Sequence, residues 1–109
     1  MNEIEVKLKA HFAAYTKNLP NKIAQIESLW NSLLREWDHE KLVELHIKTH
    51  GLRGSAGIYG HENVGIAATN LDMVIKEFLN RSVPTEQQKN TINRLLEELK
   101  KTLETGPSA

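Results

Sequence analysis

Apolar residues recur every three or four positions along almost the whole chain, and no run alternates with period two, so the pattern predicts an all-α protein with no strand. Ile4, Leu8, Phe12, Tyr15 and Leu19 form a first amphipathic stripe, which Pro20 is expected to end because the residue before a proline avoids helical geometry. Pro20 then opens a second helix whose face is Ile23, Ile26, Trp30, Leu33 and Trp37. Asp38 is placed to cap a third, with Trp37 and Leu42 spaced for a hydrophobic staple. That third helix carries Leu42, Leu45, Thr49, Leu52, Ala56 and Tyr59 and stops at Gly60, which tolerates the left-handed conformation that ends helices. Val64, Ala67, Leu71, Val74 or Ile75, and Phe78 mark a fourth. "NRSVPTEQQ" interrupts the pattern before a fifth with Ile92, Leu95, Leu96, Leu99 and Leu103, and Thr85 with Gln88 has capping-box spacing.

Four of these segments are long enough to pack as an antiparallel up-and-down four-helix bundle, with the N-terminal helix as an addition across or beside it. A chain of 109 residues holds one such core and not two, so a single domain is expected over 1–105, with "GPSA" at 106–109 as a flexible tail. The 14 basic and 14 acidic residues cancel, which removes any long-range pull toward nucleic acid or an acidic membrane. The absence of cysteine excludes disulfides, thiolate metal sites and a cysteine nucleophile, and fits a cytoplasmic location. No segment reads as a signal peptide or a membrane span.

The stretch "HGLRGSAGIYG" departs from this economy. It sets Gly51, Gly54, Gly57 and Gly60 into a helix where each interior glycine costs on the order of 1 kcal/mol relative to alanine. On a helical projection of about 100° per residue, His50 lies opposite the apolar stripe. Val43, His46, Ile47, Arg53, Gly54 and Gly57 fall within about 60° of it. The face therefore offers a histidine beside a cation and bare backbone. A neutral imidazole nitrogen is a competent nucleophile near neutral pH. Once phosphorylated it would carry about two negative charges, which Arg53 is placed to neutralise while Gly54 leaves room for the oxygens.

"HGLRGSAGIYG" resembles the signature of histidine-containing phosphotransfer domains, His-x-Leu-Lys-Gly-x-x-x-x-x-Gly, and the segment leading into it looks like that family's preceding helix pair. The resemblance extends over roughly residues 15–103. It implies that His50 is the phosphoacceptor, Arg53 stands where the family has lysine, Gly54 gives clearance and Gly60 marks the helix end. Arginine keeps the charge but presents a wider, planar head group. The implied activity is that of a phosphoryl carrier and not an enzyme. It would exchange phosphate reversibly with the aspartate of a response-regulator receiver domain, or of a hybrid sensor histidine kinase, as a cytoplasmic monomer. No cofactor of its own is implied, since the partner's receiver would bring Mg²⁺ and the catalytic groups.

Val43, His46, Ile47, Gly57 and Ile58 are the expected docking residues, although Val43 and Ile47 could instead lie under the first helix. His46 either lines that surface or tunes His50. Its spacing to His50 also suits two metal ligands, but local sequence fixes no further ligand, so no metal is expected. His11, His39 and His61 read as surface or helix-end residues, Trp30 and Trp37 as core, and Ser55 as a packing residue bonded to the preceding turn. "EELKKTLE" reads as a solvated face with weak ion pairs. Two rival readings stay open: a binding module of the same fold that transfers no phosphate, and a metal- or haem-binding bundle using His46 and His50.

Overall fold

The computed structural model describes residues 2–104, so the tail expected at 106–109 lies outside the described residues. Among these residues the chain is all-α, with four α-helices and no strand: α1 (Glu3–Arg35), α2 (His39–Ile58), α3 (Glu62–Ile75) and α4 (Glu86–Lys101). A 3₁₀ turn, Lys76–Phe78, extends α3, and a second, Thr102–Glu104, extends α4. Helix α1 packs on α2 and α4, α2 on α3, and α3 on α4, around one core.

The expected break at Pro20 does not occur. The first two predicted helices are one, with Pro20 inside α1. Proline already holds the helical φ, and its penalty is about 3 kcal/mol from a missing hydrogen bond and a ring clash. Tyr15 and Leu19 before it, and Ile23 and Ile26 after it, are all buried on one continuous stripe. Burial of each such side chain is worth about 1.5–3 kcal/mol, so packing on both sides outweighs the local preference. Pro20 itself faces solvent.

The N-terminal third of α1 also differs from expectation. Ile4, Leu8 and Phe12 are exposed, and the buried stripe begins at Tyr15. Length explains it: 33 residues of helix reach about 50 Å, whereas the 20 residues of α2 reach about 30 Å and leave the first turns uncovered. Phe12 retains one edge-on contact with Tyr59, which stacks on Tyr15 with ring centroids 4.3 Å apart.

The helix ends follow their sequence signals. The Asp38 side chain accepts from the Glu40 amide, and Thr85 and Gln88 form the reciprocal capping box. Gly60 adopts φ +81°. The His61 amide donates to the Ala56 carbonyl and the Gly60 amide to that of Gly57, which closes α2 with a Schellman motif. Trp30 is buried and donates its indole N–H to Asn93 Oδ1 at 2.7 Å, while Trp37 packs edge-on against Trp30 and Phe78. Lys100 in "EELKKTLE" pairs with Glu97 and reaches Glu27 of α1 at 2.6 Å.

On α3 the buried face is Val64, Ala68, Leu71, Ile75 and, beyond it, Phe78, so Ala68 and not Ala67 lies at its centre. One charged residue shares the interior with them: Asp72 has no exposed surface.

Candidate functional site

A fully buried aspartate demands hydrogen-bond donors, because an isolated carboxylate out of water is too costly to keep. Three come from successive turns of α2. His46 Nδ1 lies 2.7 Å from Asp72 Oδ1, His50 Nδ1 lies 3.1 Å from Oδ2, and Arg53 Nη1 donates to the same Oδ2 at 3.3 Å. Residues 46, 50 and 53 are spaced i, i+4 and i+7, so one edge of α2 delivers all three to a single point on α3.

The partner dictates the tautomer. A carboxylate only accepts, so each imidazole must place its proton on Nδ1 to form these bonds. In a neutral ring this leaves Nε2 with its lone pair free. The His50 side chain is 58 % exposed, whereas that of His46 is 21 % exposed and that of Arg53 is 31 % exposed. His50 is therefore anchored at one nitrogen and open at the other, with its ring 5.4 Å from that of His46, centroid to centroid.

Around the imidazole the glycines meet no packing demand. A side chain added at Gly51, Gly54 or Gly57 would find open space. Close approach instead involves Gly65 of α3, whose missing Cβ would lie 3.7 Å from the Gly57 amide nitrogen and 3.8 Å from the Arg53 carbonyl. Gly65 thus lies against the backbone of α2 at 53 and 57, two turns before Asp72 on α3, and the contact between the two helices sets the Asp72 carboxylate against α2.

Two shallow grooves lie on the surface of α2. One, of about 400 Å³, is lined by Lys22, Gln25, Ile47, Gly51 and Ser55 among others. The other, of about 300 Å³, is lined by Arg53, Gly57, Glu62, Gly65, Ile66 and Thr69 among others. Ile47 is exposed rather than covered by α1, and Val43 is half-buried. Gly54 and Gly57 face solvent, and Ile58 is exposed at the end of α2.

Sequence reasoning missed Asp72, although a signal was present: it is the one acid in "AATNLDMVI", next to the stripe residue Leu71 and three before Ile75. It also missed the contribution of α3 to the apolar surface. Ile66 and Met73 are exposed, and being seven residues apart they share a face of that helix.

Among the other histidines, His61 does more than end a helix. It stands at a helix end as expected, but it is buried and its Nε2 lies 2.8 Å from Thr16 Oγ1, tying the start of α3 to α1. His11 is exposed and His39 half-buried in the first turn of α2. Ser55 bonds to the Leu52 carbonyl as expected and also to the Tyr15 hydroxyl, at 2.8 Å. Burial pushes the Tyr15 hydroxyl above the ordinary tyrosine range, against the opposing effect of the Ser55 bond. Among the described residues, no helix is long and apolar enough to cross a membrane. No protein-family model, curated protein or solved structure matches the chain.

Proposed function

We propose that the protein is a histidine phosphotransfer domain of a two-component relay, a phosphoryl carrier that accepts phosphate on His50 and passes it on. The observation that carries this reading is the one-sided tethering of His50: Nδ1 bonded to the buried Asp72, the ring otherwise exposed. Such an imidazole presents Nε2 in a defined direction. The resemblance of "HGLRGSAGIYG" to the family signature supports the same assignment, as does its position on the second helix of a four-helix chain.

In the proposed reaction the Nε2 lone pair attacks the phosphorus of a receiver's phosphoaspartate. The N–P bond forms, the P–O bond to the aspartyl oxygen breaks, and the carboxylate leaves. The ring retains its Nδ1 proton and becomes cationic, a charge that Asp72 stabilises at 3.1 Å. In-line transfer also needs Mg²⁺ and acidic groups, which the receiver would supply. Arg53, one turn along, would follow the new phosphoryl group by exchanging its Asp72 contact for phosphate oxygens. Gly54 and Gly57 leave the surface low enough for the receiver to approach. Val43, His46, Ile47 and Ile58, with Ile66 and Met73 of α3, provide the contact surface of a cytoplasmic relay component.

One observation favours the rival reading of a docking module without transfer: Arg53 is engaged by Asp72 and not free beside Nε2. The two readings separate on incubation with phosphorylated receiver domains. Acid-labile phosphate on the wild-type chain and none on His50→Gln supports transfer. Receiver binding that is indifferent to His50, with no label on either protein, supports the docking module.

A further inference from the structure

The three groups that meet at α2 and α3 are also a metal-ligand set. One donor atom from each of His46, His50 and Asp72 lies within 4.8 Å of the other two. The sequence alone supplied two histidines one turn apart, and the fold adds the third ligand from another helix. We propose that this cluster binds a zinc-class divalent cation, and that the bound ion switches off the nucleophile of His50.

The donor chemistry is that of zinc: two imidazole nitrogens and one carboxylate, with water to complete a tetrahedron. Zinc holds such atoms at about 2.0–2.1 Å, which puts neighbouring donors about 3.3 Å apart. Each carboxylate oxygen already holds one Nδ1 atom, His46 on Oδ1 at 2.7 Å and His50 on Oδ2 at 3.1 Å, so an ion requires these pairs to open by a few tenths of an ångström. Asp72 is fixed by burial, and withdrawal of the partly exposed Arg53 side chain from Oδ2 would open the ion's path in and a position for water. Arg53 opposes binding, since its guanidinium occupies Asp72 Oδ2 and carries a like charge. It is partly exposed, so it can swing into solvent.

The consequence for His50 lies in its tautomer. In the neutral ring of the metal-free protein, the bond to Asp72 puts the proton on Nδ1 and leaves the lone pair on Nε2. Zinc on Nδ1 displaces that proton, and the neutral ring takes one up at Nε2 through solvent, with no net change in protonation. Nε2–H has no lone pair with which to attack phosphorus. A metal bound on the inner side of the ring therefore blocks acceptance on its outer side, a consequence that rests on the reading of His50 as phosphoacceptor.

The test is titration of the full chain, free of added histidine tags, with zinc alone against a chromophoric chelator. The expected result is one zinc per chain, weakened by about tenfold or more in His46→Gln, His50→Gln and Asp72→Asn, and tightened in Arg53→Gln. Nitrogen-15 spectra of the histidine rings should show His50 changing from the Nδ1–H to the Nε2–H tautomer. Saturable binding unchanged in His46→Gln, or absent in the wild type at micromolar zinc, would overturn the site. Zinc should then suppress labelling of the wild type by phosphorylated receiver, and removing the zinc with a chelator should restore it; equal labelling of zinc-loaded and zinc-free wild type would overturn the switch. A chain that takes up zinc as described but accepts no phosphate under any condition would retain the site and remove the phosphotransfer reading.

Discussion

The Nδ1 atom of His50 stands 3.1 Å from Oδ2 of Asp72, a pairing of a largely exposed ring with a carboxylate that has no exposed surface. The carboxylate fixes the ring's orientation and its tautomer together. It also does so for His46, through the other oxygen.

Replacing Asp72 with asparagine keeps the shape but turns one acceptor into a donor, which then faces a donor from α2. The partners can reach water, so the loss of stability should be modest, about 1–3 kcal/mol by thermal or denaturant unfolding. Phosphoryl acceptance should fall further, by about 10–100-fold, the size of the loss when the partners that orient metal-bound histidines are removed. A variant that folds and transfers at the wild-type rate would show that Asp72 only fills the core.

Gly54→Ala separates folding from access. Its Cβ would project into open space, so the helix should gain on the order of 1 kcal/mol. The added methyl group lies one turn from His50, and transfer from a receiver should slow even as the melting temperature rises. Faster or unchanged transfer in the stabilised protein would remove the glycine's role in clearance.

Pro20→Ala restores a hydrogen bond within α1. The variant should be more stable by about 2 kcal/mol, the helical penalty of proline less the entropy that proline removes from the unfolded chain. A destabilised variant would show that a bend at Pro20 is needed for the packing of Leu19 and Ile23.

The Tyr15 hydroxyl, raised by burial, makes one contribution to stability that is lost at alkaline pH. A raised folded value means that the native state favours the protonated phenol. That stabilisation is complete below the ordinary tyrosine value near 10 and is lost as the pH rises through the folded value. Tyr15→Phe should therefore lose less stability than the wild type between neutral pH and pH values above that range, as read by denaturant midpoints. Parallel loss in the two proteins would contradict it.

The local signals were legible where local physics decides. Asp38, Thr85 with Gln88, and Gly60 act on backbone groups within a few residues of themselves, and each forms the cap its sequence implies. Pro20 misled because its penalty is local while the compensation, burial of Leu19 and Ile23 against other helices, is not. Ile4 and Leu8 misled for a related reason: periodicity shows which face of a helix is apolar, not how far its neighbours extend. At the site, the exposure of His50 and its proximity to Arg53 followed from the spacing on one helix. Asp72 did not, because it lies 22 residues from His50, and which α3 residue meets that edge depends on how α3 packs against α2.

The ring chemistry of the phosphorylated protein decides whether His50 is a phosphoacceptor. After reaction with a phosphorylated receiver, nitrogen-15 and phosphorus-31 spectra should place the phosphoryl group on Nε2 of His50, with Nδ1 still protonated. Phosphate on Nδ1, on His46, or on no histidine of the chain would contradict it.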